Sequence, residues 1–429
     1  MTLWDSRPAC RAFPQLLRRG GGCARLPISC WSQPWYTSQI KTPRKRPKEE
    51  ETMSETAAKV SRRKFLKTGA LAAGAATMAA PSVVKAQGPI NMRWQSTWPS
   101  KDIFHEYAID FAKKVNDMTG GDLKIEVLPA GAVVPAFGLI DAVSKGVLDG
   151  GHGVLVYHYG KQTALALWGS GPGYAMDANM LLAWHKYGGG KELLSKLYAS
   201  VGLNVVSFPY APMPTQPLGW YKKPITSADD FKGLKFRTVG ISIDVFQGMG
   251  AAVTALPGGE IVAAMDRGLI DAAEFNNATS DRILGFADVS KVCMLQSYHQ
   301  NAEQLEITFN KAKFDALPDK MKAIITNAVE AASQDMQWKA IDRYSQDYIE
   351  LQTKDNVKFY KTPDSVLQKQ LDVYDDVVKR KAAENPLMKE IVESQLVFAK
   401  RATRWEQDTV VSRKMAFDHY WGPNAKKPI

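Results

Sequence analysis

Cysteine is scarce in this 429-residue chain. There are four, and Cys10, Cys23 and Cys30 all precede residue 31. From Gln87 onward only Cys293 is present. One cysteine forms no intrachain disulfide, so cysteine usage does not set the redox compartment; the body also lacks any CxxC zinc spacing. Excess charge is missing from the body as well. The whole chain carries 55 Lys and Arg against 44 Asp and Glu, a formal net of +11. Residues 1–86 hold 16 of the basic and 5 of the acidic residues, which leaves 39 of each sign from Gln87 onward. The body is formally neutral, and overall charge makes no case for a polyanionic partner.

Catalytic motifs are also absent. The six histidines, His105, His152, His158, His185, His299 and His419, form no HExxH or other ligand pair. They are expected as isolated or surface polar residues. Gly188-Gly189-Gly190-Lys191 fails as a phosphate loop. Such a loop needs a Gly five residues before its last Gly and Ser or Thr after the Lys, and His185 and Glu192 stand there. A helix-interrupting turn is expected instead. There is no GxSxG and no GxGxxG, so no enzyme is suggested by motif.

What is present begins with SRRKFLK, Ser61 to Lys67. The Ala- and Gly-rich stretch after it, roughly Gly69 to Val84, is shorter than the roughly 20 residues of a membrane-spanning helix. Val84-Lys85-Ala86 offers apolar or small residues at the −3 and −1 positions for cleavage before Gln87. Together these resemble a twin-arginine signal peptide, a receptor-read address and not an anchor. Residues 1–52 are rich in Arg, Pro, Gly, Trp and Cys without helical or strand period. The expected organisation is a non-native or disordered extension over 1–52 ahead of a start at Met53, a signal over 53–86, and a body over 87–429 exported to the periplasm.

The body alternates strand and helix patterns. Strands are predicted at Asn91–Thr97, Leu123–Leu128 and from Gly153 to Tyr157, with helices at Ile103–Met118 and Phe137–Leu148 between them. This order implies an α/β layer with a parallel-rich sheet. A helix-rich insertion is predicted over Ala178–Ser200 and a strand at Leu203–Phe208. A second α/β series follows: strands at Gly219–Tyr221 and Leu234–Thr238, a helix at Ile241–Met249, a helix at Glu260–Asp266 and a strand over Leu269–Phe275. Pro318 suits a helix N1 position. The apolar stripe from Met321 to Met336, continued to about Leu351, predicts a helix of roughly 50 Å, long enough to pass along two lobes. Val357–Tyr360 reads as a returning strand, and Leu387–Trp421 as mostly helical. Two lobes with crossing chain enclose a cleft, where small ligands bind.

Three polar residues suit such a cleft. Arg237, ending the strand in KGLKFRT, has a guanidinium that can grip a carboxylate through two parallel hydrogen bonds. Gln216 lies in the stiff PMPTQPLGWY segment. Glu274 ends the apolar run LIDAAEF, at a strand's C-terminal end. A carboxylate, an amide oxygen and backbone carbonyls together suit a hard cation. Tyr157, Tyr159, Trp220 and Phe275 are candidate walls.

The segments ITSADDFKGLKFR and FQGMGAAVTALPGGEIVAAMDRGLIDAAEF resemble the solute-binding receptors of TRAP transporters, nearest in look to the 2-oxo acid receptors. The likeness covers about Asn91 to Tyr420. It implies a two-lobed α/β solute-binding fold with long connecting helices, which binds an organic acid and delivers it to TRAP membrane carrier subunits without catalysis. It also implies that Arg237 clamps the carboxylate. A bridging cation, sodium or calcium, falls to Gln216, Glu274 and the backbone carbonyl of Phe275. The family usually has Trp after that glutamate; Phe275 and then Asn276-Asn277 stand here, so the ligand wall differs. Asn276 joins Gln216, Tyr157 and Tyr159 as a candidate ligand contact, the tyrosines by a looser match. Receptors of this kind can dimerise by exchanging C-terminal helices, and the helix carrying Leu396, Phe398, Trp405 and Tyr420 is a candidate for such a homodimer contact, with an amphipathic intrachain helix as the other reading. A receptor for a polyol or sugar acid, and a periplasmic enzyme using the same cleft, are the alternatives.

Overall fold

The computed structural model describes residues 88–423 and residue 425. The expectations for 1–52 and 53–86 lie outside the described residues.

The chain enters through β1 (Ile90–Ser96), α1 (Ile103–Met118) and β2 (Leu123–Leu128). Asp102 starts α1: its carboxylate accepts the Phe104 N–H at 3.0 Å, satisfying a donor that the first helical turn leaves free. Ile103, Tyr107, Phe111 and Val115 are buried as one stripe. Next come the short α2 (Leu139–Ser144) and β3 (Gly150–Val154). The strand predicted from Gly153 to Tyr157 begins earlier and ends sooner. Leu155–His158 coils into a 3₁₀ turn instead. The glycines of β3, poor strand formers, are needed by packing. A Cβ on Gly150 would lie 2.3 Å from the Trp94 ring.

The two helices α3 (Ala178–Tyr187) and α4 (Gly190–Ser200) are separated by the expected turn, with Gly189 at φ 90°. Then follow β4 (Val205–Pro212), β5 (Gly219–Tyr221), β6 (Lys235–Arg237), α5 (Ser242–Gly248), β7 (Ala252–Thr254), α6 (Gly258–Asp266) and β8 (Ala272–Ala273). The helices α7 (Ala278–Leu284) and α8 (Phe286–Val289) lead to β9 (Val292–Leu295), β10 (Gln304–Asn310) and α9 (Lys311–Asp315). The long α10 (Asp319–Thr353), β11 (Lys358–Lys361), α11 (Asp364–Glu384), α12 (Pro386–Thr409) and α13 (Arg413–Trp421) complete the described chain. Pro318 sits at the N-cap, one place before the predicted N1 position, with extended ψ of 146°.

These strands form two sheets, ordered β2-β1-β3-β10-β4 and β11-β9-β5-β8-β6-β7. β1 pairs parallel with β2 and β3, but β10 runs antiparallel to both β3 and β4. The first lobe is therefore mixed. Chain crosses between the sheets from β4 to β5 and again from β9 to β10. At 35 residues, α10 is about 52 Å long. It packs on α1 and β4 of the first lobe and on α7 of the second. Five of the six histidines are buried, not at the surface as expected. Several are tied into aromatic clusters: His152 packs on Trp98 and accepts or donates at the Tyr210 hydroxyl at 2.6 Å.

The lobes also touch where Ser280 Oγ, on α7, donates to Asp102 Oδ1 at 2.8 Å. Burial pushes the Asp102 carboxyl up from 3.8 to about 6, against the hydrogen bonds from Phe104 and Ser280. The folded state thus holds a proton that the unfolded chain has released. Stability falls as pH rises from about 4 to about 6 and stays reduced above that. Asp102→Asn keeps a capping side chain and removes the buried charge. Calorimetric unfolding should show a gain on the order of 2 kcal/mol at pH 8 and little change at pH 4. An unchanged midpoint at pH 8 would count against this assignment.

Candidate functional site

The C-terminal ends of strands from both sheets meet where the two crossings pass. Trp98 follows β1 and Tyr157 follows β3. Arg237 ends β6, and Glu274 and Phe275 follow β8. Gln216 lies on the β4-to-β5 crossing; Gln300 and Glu303 lie on the β9-to-β10 crossing. All of these but Glu274, which pairs with Arg237 beside it, line one small cavity. Position at a lobe junction and at strand C-termini is where open α/β folds take small ligands.

Arg237 is 1 % exposed. Its Nη1 donates to the Glu274 carboxylate at 2.8 Å and to the Glu274 carbonyl at 3.1 Å. Nε and Nη2 donate to the Leu256 carbonyl at 2.9 and 2.7 Å. Four of five guanidinium N–H groups are thereby committed. A two-bond grip on an incoming carboxylate, expected from the sequence, finds no pair of free donors in this state. Arg237 offers one N–H and its charge, and the Tyr157 hydroxyl lines the same cavity. Burial pushes that phenol up to about 12, so it remains a donor at neutral pH.

Gln216 is also buried, and its Nε2 donates to Glu303 Oε2. Asn276 Nδ2 donates to the same oxygen at 3.3 Å. With its amide turned by half a rotation, Gln300 Nε2 donates to both Glu303 oxygens, at 2.6 and 3.0 Å. Burial first, and the Glu274 charge second, push the Glu303 carboxyl well up.

Gln216 Oε1 and Glu274 Oε2 are among the buried oxygens that find no hydrogen-bond partner among the described residues. Orphaned buried acceptors are costly unless something fills them. Both are hard oxygen donors, as is the Phe275 carbonyl, so the set fits a hard cation such as sodium or calcium. Among the described residues no group of three or more His, Cys, Asp and Glu is placed to hold a metal ion. A cation here would have one carboxylate, that of Glu274, beside amide and carbonyl oxygens and the ligand itself.

Phe275 supplies a wall. Its ring centroid is 5.9 Å from the Arg237 guanidinium carbon, and it stacks on Phe286. The glycine of the PGGE segment makes room for it: a Cβ on Gly258 would lie 2.4 Å from the ring. Of the other residues singled out by sequence, Tyr157 and Asn276 line the cavity. Tyr159 does not. Its hydroxyl donates to Asp244 on α5, with Lys381 of α11 over its ring, because the 3₁₀ turn after β3 rotates it away from Tyr157. Trp220 lies elsewhere too, in a mostly apolar groove with Cys293 and Phe359, donating to Asp281 Oδ2 at 2.7 Å. Glu303 and Gln300 went unrecognised. One signal pointed to Glu303: it shares the two-residue period of Leu305, Ile307 and Phe309, which places it on an inward face.

The family model for bacterial extracellular solute-binding protein, family 7, matches residues 95–385. A monocarboxylate 2-oxoacid-binding periplasmic protein of Nostoc sp. is 31% identical over 355 residues, covering 81% of this chain and 96% of the relative. A TRAP periplasmic solute-binding protein from Pseudoalteromonas atlantica, solved with bound sodium and pyruvate, is 27% identical. It superposes with a TM-score of 0.72 over 77% of this chain and 99% of that one. Another from Colwellia psychrerythraea, solved with bound calcium and pyruvate, is 28% identical with a TM-score of 0.72, over 77% and 100%.

Proposed function

Because the chain belongs to family 7 of the bacterial extracellular solute-binding proteins, a family of receptors for small organic acids, we propose that it captures a 2-oxo monocarboxylate of pyruvate size and delivers it to TRAP membrane subunits. One observation carries the reading: a buried arginine stands beside two orphaned oxygens at a small cavity. An anion with a second oxygen alongside its carboxylate suits that pattern. Arg237 and Tyr157 meet the carboxylate. Gln216, Glu274 and the Phe275 carbonyl hold a cation, which when bound presents positive charge to the 2-oxo and carboxylate oxygens. Trp98, Phe104 and Phe275 exclude water around them, and charge-assisted bonds strengthen in that lower-dielectric setting.

A thermal-shift panel of pyruvate, longer 2-oxo acids, mannitol and sugar acids, with sodium or calcium, tests this. The 2-oxo monocarboxylates should give the largest shifts. A larger shift with mannitol or a sugar acid would overturn the ligand class, and conversion of a bound acid to another compound would overturn the receptor role.

Export follows the sequence. The twin-arginine signal over 53–86 is proposed to direct the folded chain to the periplasm, so the mature protein should begin at Gln87 by N-terminal sequencing, whatever the role of residues 1–52. No described helix is long and apolar enough to cross a membrane. The C-terminal end is proposed to pair with a second copy. On α13, Met415, Phe417 and Trp421 are 74%, 60% and 68% exposed, and Trp405 near the end of α12 is 67% exposed. Exposed apolar surface of this kind on adjoining helices supports that reading. Deleting residues 410–429 should convert a dimer to a monomer by light scattering; a full-length chain of monomer mass would contradict the pairing.

A further inference from the structure

The start of α1 carries two contacts from the first lobe to the second. The Phe104 ring centroid lies 6.5 Å from that of Phe275, and Asp102 Oδ1 accepts from the Ser280 hydroxyl of α7 at 2.8 Å. Asp102 belongs with the first sheet, because α1 packs on β2. Ser280 belongs with the second, on the segment between β8 and β9. Both side chains are buried. Their hydrogen bond therefore joins the lobes across a closed boundary, and it joins a hydroxyl to a carboxyl group, the stronger kind when that group is ionised.

Ser280 is also tied to the ligand cavity. Its Oγ accepts from Asn277 Nδ2 at 3.2 Å, and the same nitrogen donates to Asn276 Oδ1 at 2.8 Å. With its oxygen held there, Asn276 directs Nδ2 to Met213 and Glu303, and all three residues line the cavity. A hydroxyl that accepts from Asn277 keeps its own proton for Asp102. One hydrogen-bonded chain thus runs from the cavity wall through Asn276, Asn277 and Ser280 to the first lobe. Parting the lobes breaks only its last link, since the three other members lie on the second lobe. The cap of α7 does not depend on that link: Asn277 Oδ1 accepts the Ser280 N–H at 2.9 Å.

We infer that Asp102 and Ser280 are positioning residues that latch the lobes shut over a bound acid and set how long it is held. The inference rests on the receptor reading and adds to it the contact that resists opening. Two measurements on the mature chain at pH 8 test it. One is stopped-flow association and dissociation of pyruvate. The other is the distance between lobes by double electron–electron resonance, without acid. Spin labels at Lys113→Cys on α1 and Lys232→Cys ahead of β6, both exposed positions, report that distance, and the buried Cys293 stays unlabelled. Ser280→Ala keeps the α7 cap. It should release pyruvate on the order of tenfold faster with association changed by less than about twofold, because a lost hydrogen bond to a charged group weakens the closed state alone. It should also shrink the population with the lobes in contact. Asp102→Ser still caps α1 but ends one bond short of Ser280, and should do the same. The double variant should be no worse than either single one, since each removes the same bond. Asp102→Asn keeps the Oδ1 acceptor and should retain slow release. Wild-type release rates in a folded Ser280→Ala or Asp102→Ser protein, or additive effects in the double variant, would overturn the latch. Should no 2-oxo acid bind the wild type, the ligand class falls. A lobe-contact population reduced by either variant would then still support the latch, and an unchanged one would overturn it.

Discussion

Arg237→Ala should leave no measurable 2-oxo acid binding by calorimetry, a loss on the order of a thousandfold or more. The side chain is buried, and among the described residues its counter-charge contact is Glu274 at 2.8 Å. Removing it takes away the cation proposed to meet the ligand carboxylate and leaves Glu274 unpaired in the interior. Breaking a buried pair on one side costs about 3–5 kcal/mol, so this variant will also unfold at lower temperature. Arg237→Lys separates the two effects. An ammonium keeps the charge but cannot span the Leu256 carbonyl, the Glu274 carbonyl and the Glu274 carboxylate as the planar guanidinium does. It should fold closer to wild type and still lose on the order of a hundredfold in affinity. Wild-type affinity in either variant would remove Arg237 from the site.

Glu274→Gln is the second large effect. Glu274 is fully buried; Oε1 accepts from Arg237 and Oε2 is orphaned. The substitution removes a negative charge from the proposed cation donors and sets an N–H where one of the two oxygens stood. Cation affinity follows ligand charge, so calcium-dependent pyruvate binding should weaken on the order of a hundredfold. Direct titration of calcium into the stripped variant should show the same loss. That readout distinguishes a damaged cation site from a damaged carboxylate contact, because Arg237→Lys should leave calcium binding without acid nearly intact.

Much of the fold is written locally. The stripe Ile103, Tyr107, Phe111 and Val115 gave α1 its bounds, Ile103–Met118, and Gly188-Gly189 broke the next helical pair where expected. The misses have a shared cause in long-range packing. β10 runs antiparallel between β3 and β4, and nothing within QLEITFN says which strands it will join or in which direction. β3 is glycine-rich because the Trp94 ring lies over Gly150, a contact between residues 56 apart. The strand predicted over Leu269–Phe275 shrinks to Ala272–Ala273, with Ile270 in the core and Glu274 paired to Arg237 beside the cavity.

The site divides in the same way. Arg237, Gln216, Glu274 and Phe275 could be named from the sequence because the motif around each is distinctive. The structure brings Arg237, Gln216 and Phe275 to one cavity, with Glu274 paired to Arg237 beside it. Tyr159 failed because one residue of offset from a 3₁₀ turn is enough to aim a side chain at another element. Glu303 and Gln300 reach the site on a crossing between lobes, and adjacency created by a crossing leaves little trace in local sequence. The committed state of the Arg237 donors was likewise invisible: it depends on the Leu256 carbonyl, 19 residues away.

The most direct measurement is calorimetric titration of pyruvate into the chelator-stripped mature protein, before and after a cation is restored. The account predicts no binding without cation and one-to-one binding once it is present. Equal binding in both conditions would contradict the bridging cation, and absence of binding by pyruvate and its longer 2-oxo homologues in calcium and in sodium alike would contradict the proposed ligand.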